Sequence, residues 1–124
     1  MQKPLSISDG VYVVAELGVN HEGDISAAET VIKQLKGSGV AAVKLQSFTP
    51  ERYVSASDMD RLERVKAYYL DLEAHKYLKV KAQESGLQFI STPVTEDWVD
   101  SLAALCDAIK IASGDIDFFP TITA

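Results

Sequence analysis

The sequence predicts an α/β fold built from parallel strand–helix units. Apolar runs of strand length alternate with segments of helical period. The runs are apolar enough to be covered on both faces, as in a parallel sheet. Gly, Pro and Asp residues punctuate the units. The order β, α, β, loop and helices, β, α, β implies right-handed crossovers. Two architectures satisfy it, an open doubly wound sheet and a closed barrel of eight units.

The first run, "VYVVAELG" at 11–18, has three valines and reads as a buried strand. "NHEGD" turns the chain. Ser26 and Glu29 have capping-box spacing, and Ala28, Val31, Ile32 and Leu35 form one apolar stripe, so a helix follows. Gly37 and Gly39 end it. "VAAVKLQSF" at 40–48 is the second strand. Residues 49–60 carry Pro, Ser and Asp and read as a loop, with a helix over 61–70. Asp71 caps a further helix, which Gly86 stops. "LQFISTP" at 87–93 is the third strand. Thr95 is placed to cap a short helix over "EDWVDSLAAL", and "DAIKIASG" at 107–114 is the fourth strand.

The chain has 124 residues, of which 47% are hydrophobic and 24% charged. That composition suits one small globular domain over 1–124 and no second one. The net charge is −6 and no basic cluster is present, which argues against nucleic acid and anionic membrane surfaces as partners. One cysteine, Cys106, leaves no internal disulfide and reads as a small buried hydrophobe. No signal-peptide run and no membrane-length apolar stretch occurs, so a cytoplasmic protein is expected.

Two lysines stand out because each interrupts a buried strand: Lys44 in "AVKLQ" and Lys110 in "AIKIAS". Successive side chains in a strand face opposite sides. Lys44 and Gln46 therefore share one side of strand two, and Lys110 and Ala112 one side of strand four. Glu16, Ser91, Thr92, Ser113 and Gly114 lie at the same ends of their strands. If the strands are neighbours, two ammonium groups, a carboxylate, an amide and several hydroxyls converge. Such a set calls for an anion, a phosphate or a carboxylate. The alternative reading of Glu16 is a buried ion pair with either lysine. His21 reads as a turn histidine, His75 as structural or exposed, and Tyr68 and Tyr69 as packing residues. No Cys/His spacing makes a metal site, and no GxGxxG or P-loop follows the first strand.

"AELGVNHEGD", "AVKLQSF", "FISTP" and "IKIASGD" resemble, in order and spacing, the front half of the sialic acid synthase family, over roughly residues 10–120. That family includes N-acetylneuraminate, legionaminate and pseudaminate synthases and spore-coat polysaccharide homologues. The resemblance implies the first four strands of a TIM barrel, a half-barrel. It implies condensation of phosphoenolpyruvate with an N-acylated aldose such as N-acetylmannosamine, releasing phosphate. Lys44, Gln46, Thr92, Lys110 and Ser113 resemble the phosphoenolpyruvate binders, and Glu16, Lys44 and Lys110 the catalytic groups. Manganese or magnesium is implied, with ligands outside this chain. A homodimer is implied as well, since half a barrel leaves two strand edges to cover. Two alternatives stand beside this reading: a non-catalytic fragment or paralogue with residual anion binding, and another phosphoenolpyruvate- or phosphosugar-using aldolase-type barrel.

Overall fold

The computed structural model describes residues 10–124. Most of the N-terminal segment that lacks a signal-peptide run lies outside the described residues. Four strands form one sheet: β1 (Val14–Gly18), β2 (Ala42–Ser47), β3 (Gln88–Pro93) and β4 (Ala108–Ile109). All pairings are parallel, and the spatial order β1-β2-β3-β4 is the chain order. A doubly wound sheet reverses its order at a switch point, whereas a barrel keeps adding each new strand on the same side. The observed order is therefore that of a barrel, and it resolves the choice the sequence left open.

Helix α1 (Ile25–Gln34) joins β1 to β2. Helices α2 (Pro50–Tyr53), α3 (Met59–Ala67) and α4 (Leu72–Glu84) lie between β2 and β3. A 3-10 turn at Glu96–Trp98 leads into α5 (Val99–Leu105), before β4. A second 3-10 turn at Ser113–Asp115 and α6 (Phe119–Ile122) follow β4. None of the described helices is long and apolar enough to cross a membrane.

The core forms where the helices meet one face of the sheet. Val43, Leu45 and Phe89 point to that face and are fully buried against Ala28 and Ile32 of α1, Leu78 and Ala82 of α4, and Leu102 of α5. The helical stripe is narrower than the sequence suggests, because Val31 is exposed and Leu35 only half-buried.

The caps follow local chemistry closely. Asp71 Oδ1 accepts from Ala74 N at 2.8 Å and starts α4, as the sequence predicts. Helix α1 begins two residues earlier than its capping box implies. Asp24 is the cap, its Oδ1 accepting from Ser26 N at 2.8 Å and Ala27 N at 3.3 Å. Glu29 is thereby left to pair with Lys33 at 2.5 Å and to accept from Tyr77 at 2.7 Å. Thr95 makes no side-chain cap; its Oγ1 accepts from Thr49 N at 3.0 Å instead. The segment 49–60 is partly helical, since Pro50 at the first position of α2 is pre-set for a helical turn. Strand β4 is much shorter than residues 107–114, because it has a neighbour on one side only and turns away after Lys110 N donates to Ser91 O at 3.0 Å.

The loop after β1 is held by one close approach. Gly23 has φ 77°, and a Cβ there would lie 2.1 Å from the Ala67 carbonyl oxygen at the end of α3. We expect Gly23→Ala to cost roughly 2–4 kcal/mol, from left-handed backbone strain plus the clash. Urea denaturation measures this, and a midpoint unchanged from wild type would refute the contact.

Candidate active site

Strand register arranges the polar side chains of the sheet's other face in two rows. Glu16 lies opposite Lys44, and Lys44 opposite Ile90. One step toward the C-terminal ends, Gln46 lies opposite Thr92. Ser91 pairs with Ile109, so Lys110 follows in the same row as Thr92. Glu16, Lys44, Gln46, Thr92 and Lys110 thus share the face turned away from the helices, at the strand ends where barrel active sites sit.

Lys44 is the anchor of this group. Its Nζ forms an ion pair with the Glu16 carboxylate and donates a long hydrogen bond, 3.4 Å, to Thr92 Oγ1. The lysine side chain is 13% exposed and that of Glu16 51%, so the ammonium lies within the sheet face and the carboxylate reaches solvent. This answers how the sheet tolerates a half-buried lysine: a carboxylate and a hydroxyl satisfy it. A bulge between Glu16 and Gly18 ends β1. Gly18 has φ 57°, and a Cβ there would come within 3.2 Å of Glu16 Oε1 and 3.9 Å of Gln46 Nε2. The missing side chain leaves room for both groups.

Lys110 departs from the sequence reading. It is exposed, not buried within a strand, because β4 is the outer strand and ends at Ile109. Its row still places it beside Thr92. Ser113 is also exposed and belongs to the 3-10 turn Ser113–Asp115. Ser91 is a correction. It does not join the lysines, since alternation turns it to the helix-covered face.

On that covered face lies a network the sequence reading missed. Ser91 Oγ and Ser47 Oγ are 2.6 Å apart, and Ser47 Oγ is 2.8 Å from His75 Nε2. His75 Nδ1 lies 2.8 Å from the Asp71 carbonyl, which can only accept. Nδ1 therefore carries the proton, Nε2 accepts from Ser47, and Ser47 accepts from Ser91. All three residues are buried, and the His75 ring packs on Trp98 at 4.7 Å between centroids. The signal was present: Ser47 and Ser91 occupy core-facing strand positions, and His75 lies on the stripe of Leu78 and Ala82. The network pins the ends of β2 and β3 directly behind Gln46 and Thr92.

The remaining candidates are structural. His21 Nδ1 accepts from Gly23 N at 2.9 Å, as a turn histidine does. Burial pushes the Cys106 thiol up to about 12, so it stays protonated and is no nucleophile. Tyr69 packs edge-on against Phe48 at 6.4 Å. A divalent metal does not fit the described residues, which contain no group of three or more His, Cys, Asp or Glu side chains able to hold one.

Fold and strand order together define the chain as consecutive strand–helix units of the TIM-barrel type. Residues 31–124 match the NeuB family, and the chain belongs to that family. It is 36% identical over 122 residues to the N,N'-diacetyllegionaminic acid synthase of Campylobacter jejuni, covering 87% of this chain and 36% of that one. It is 33% identical over 127 residues to the N-acetylneuraminate-9-phosphate synthase of Drosophila melanogaster, covering 92% of this chain and 34% of that one. Among solved structures, the N-acetylneuraminic acid synthetase of Leptospira borgpetersenii, in complex with citrate, superposes with a TM-score of 0.83 at 24% identity. That match covers 96% of this chain and 44% of the other. The chain spans about a third of the length of the curated relatives it matches.

The buried imidazoles give the fold an acid sensitivity. Burial holds both His75 and His21 below the usual 6.5, favouring their neutral forms. The unfolded chain then takes up protons first as pH falls below 6.5, so stability is fully present above that pH and declines beneath it. Urea midpoints should fall between about pH 7.5 and about pH 5, and His75→Gln should flatten part of that slope. Equal wild-type midpoints at the two pH values would contradict the assignment.

Proposed function

We propose that this chain supplies phosphoenolpyruvate-binding groups of a nonulosonic acid synthase. The enzyme condenses phosphoenolpyruvate with an N-acylated aldose such as N-acetylmannosamine. The observation that carries the reading is the Lys44 ammonium, fixed by Glu16 and Thr92 on the barrel-interior face, with Lys110 in the row of Thr92. Related proteins are synthases of sialic, legionaminic and pseudaminic acids.

In this reading Lys44 and Lys110 hold the carboxylate and phosphate of phosphoenolpyruvate through charge-assisted hydrogen bonds. Gln46 donates its amide N–H, and Thr92 and Ser113 their hydroxyls. The cations are preorganised where negative charge develops as phosphate leaves. Glu16 orients Lys44 and is placed to handle a proton near the reacting carbons. C3 of phosphoenolpyruvate attacks the aldehyde, water adds at C2, and phosphate departs by C–O cleavage. Manganese or magnesium, held by other residues, belongs to the proposal, as does a homodimer that covers the outer strands.

A second reading is that the 124-residue chain taken alone binds the anion without turnover. The exposure of Lys110 and Ser113 favours it, because this side of the site is open to water. Phosphate release by the isolated chain with manganese, phosphoenolpyruvate and N-acetylmannosamine would overturn it.

The main test is calorimetric titration of the full natural protein with phosphoenolpyruvate. Lys44→Ala and Lys110→Ala should each weaken binding roughly ten- to a hundredfold, as loss of a charged hydrogen bond does. Binding unchanged in both variants would refute the proposed site.

A further inference from the structure

Ser47 at the end of β2, Ser91 in β3 and His75 on α4 are fully buried on the helix-covered side of the sheet, among apolar neighbours. Stability does not account for them. A buried hydrogen-bonded set adds little net stability, and apolar residues of the same shape in all three places can be neutral or stabilising. Hydrophobic contact is also non-directional. What the three residues add is direction, because a hydrogen bond fixes both a distance and an angle.

The chain of bonds runs one way. His75 Nδ1 donates to the Asp71 carbonyl at 2.8 Å, so Nε2 accepts from Ser47 Oγ at 2.8 Å and Ser47 Oγ accepts from Ser91 Oγ at 2.6 Å. The imidazole is the fixed end: its ring packs on Trp98, and Asp71 caps the helix that carries it. The other end spans two strands. Ser47 pairs with Pro93 and Ser91 with Leu45, so the hydroxyl contact crosses the β2–β3 ladder diagonally. The register pair centred under that diagonal is Gln46 and Thr92. Each is the chain neighbour of one serine and faces the opposite side. Thr92 Oγ1 is also the hydroxyl that accepts from Lys44 Nζ at 3.4 Å. A shift of either serine therefore passes through one peptide unit to a group on the open face. Past this pair the strands become loops, with Val94 N donating to Ser47 O at 2.8 Å and Thr49 N to Thr95 Oγ1 at 3.0 Å.

We propose that Ser47, Ser91 and His75 are positioning residues of the anion site: their buried hydroxyl–imidazole chain fixes the spacing of Gln46 and Thr92, and through it the affinity for phosphoenolpyruvate. The proposal rests on the phosphoenolpyruvate reading above and assigns part of its geometry to residues that never touch the ligand. The acceptor nitrogen of His75 is the group on which the chain depends. His75→Phe keeps a ring against Trp98 but removes that acceptor, so the Ser47 hydroxyl loses its fixed partner. His75→Gln keeps an acceptor oxygen at about the reach of Nε2. Binding groups held by a locked supporting layer lose preorganisation when that layer loosens by a fraction of an ångström.

The test is calorimetric titration of the full natural protein with phosphoenolpyruvate, with circular dichroism and urea midpoints recorded on the same samples. We expect His75→Phe to weaken binding about fivefold or more, and His75→Gln to return it to within about twofold of wild type. Leu78→Ala is the control for lost stability. Leu78 is fully buried on α4 and carries no hydrogen-bonding side chain, so its truncation lowers the urea midpoint through a cavity. Its phosphoenolpyruvate affinity should stay at the wild-type value. Unchanged affinity in His75→Phe would overturn the inference, as would no recovery in His75→Gln or an equal loss in Leu78→Ala. Ser91→Ala keeps the test open if His75→Phe does not fold, because it removes the outermost hydroxyl and leaves Ser47 donating to His75. It should weaken binding about threefold, and wild-type affinity there would sink the inference too. Lys44→Ala, titrated alongside, separates the two levels. If Lys44→Ala loses binding while His75→Phe and Ser91→Ala do not, this inference alone fails. If the wild type binds no phosphoenolpyruvate, or Lys44→Ala binds it normally, the underlying reading fails and this inference with it.

Discussion

A lysine on an inward-facing strand position needs an anion, and Glu16 supplies one for Lys44. The pair exists because parallel register sets residue 16 of β1 opposite residue 44 of β2. The same register carries Gln46 to Thr92, and Lys110 follows in that row. A slip of one residue in any strand would turn its polar groups into the helix-packed core. Site geometry and core packing are therefore one constraint. The apolar side chains on the opposite face, Val43, Leu45 and Phe89, lock the register by filling the space under α1, α4 and α5.

The buried Ser91–Ser47–His75 chain reinforces that lock at the end of the strands where it matters most. Its hydrogen bonds tie β3 to β2 and both to α4, on the reverse of the face that carries Thr92 and Gln46. Every member is satisfied, and no described buried side-chain N or O atom lacks a partner. Satisfied buried networks of this kind rigidify their surroundings. On the open face, by contrast, the Lys44–Glu16 pair, Gln46, Thr92 and Lys110 lie at the strand ends.

Much of this architecture was legible in the sequence. The strand centres, the Asp71 cap and the shared facing of Lys44 with Gln46 follow from alternation and capping, which are local rules. The family followed from four short motifs in order. What escaped was set by contacts distant in sequence. Ser47 and Ser91 are 44 positions apart, and only the pairing of β2 with β3 brings them together. Ser91 was grouped with the lysines because it sits next to Thr92, yet adjacency in a strand means opposite faces. The aliphatic neighbours of Lys110 suggest burial, but among the described residues β4 pairs with β3 alone and ends at Ile109, which leaves Lys110 exposed. Asp24 displaced Ser26 as the cap of α1 through a choice between two competent residues two positions apart.

The central claim is that one anion is held jointly by the ammonium groups of Lys44 and Lys110. A crystal structure of the full natural protein with phosphoenolpyruvate tests it most directly. The account predicts both Nζ atoms within about 3 Å of carboxylate or phosphate oxygens of one ligand, with Thr92 Oγ1 beside it. Density for phosphoenolpyruvate elsewhere, or contacting neither lysine, would contradict the account.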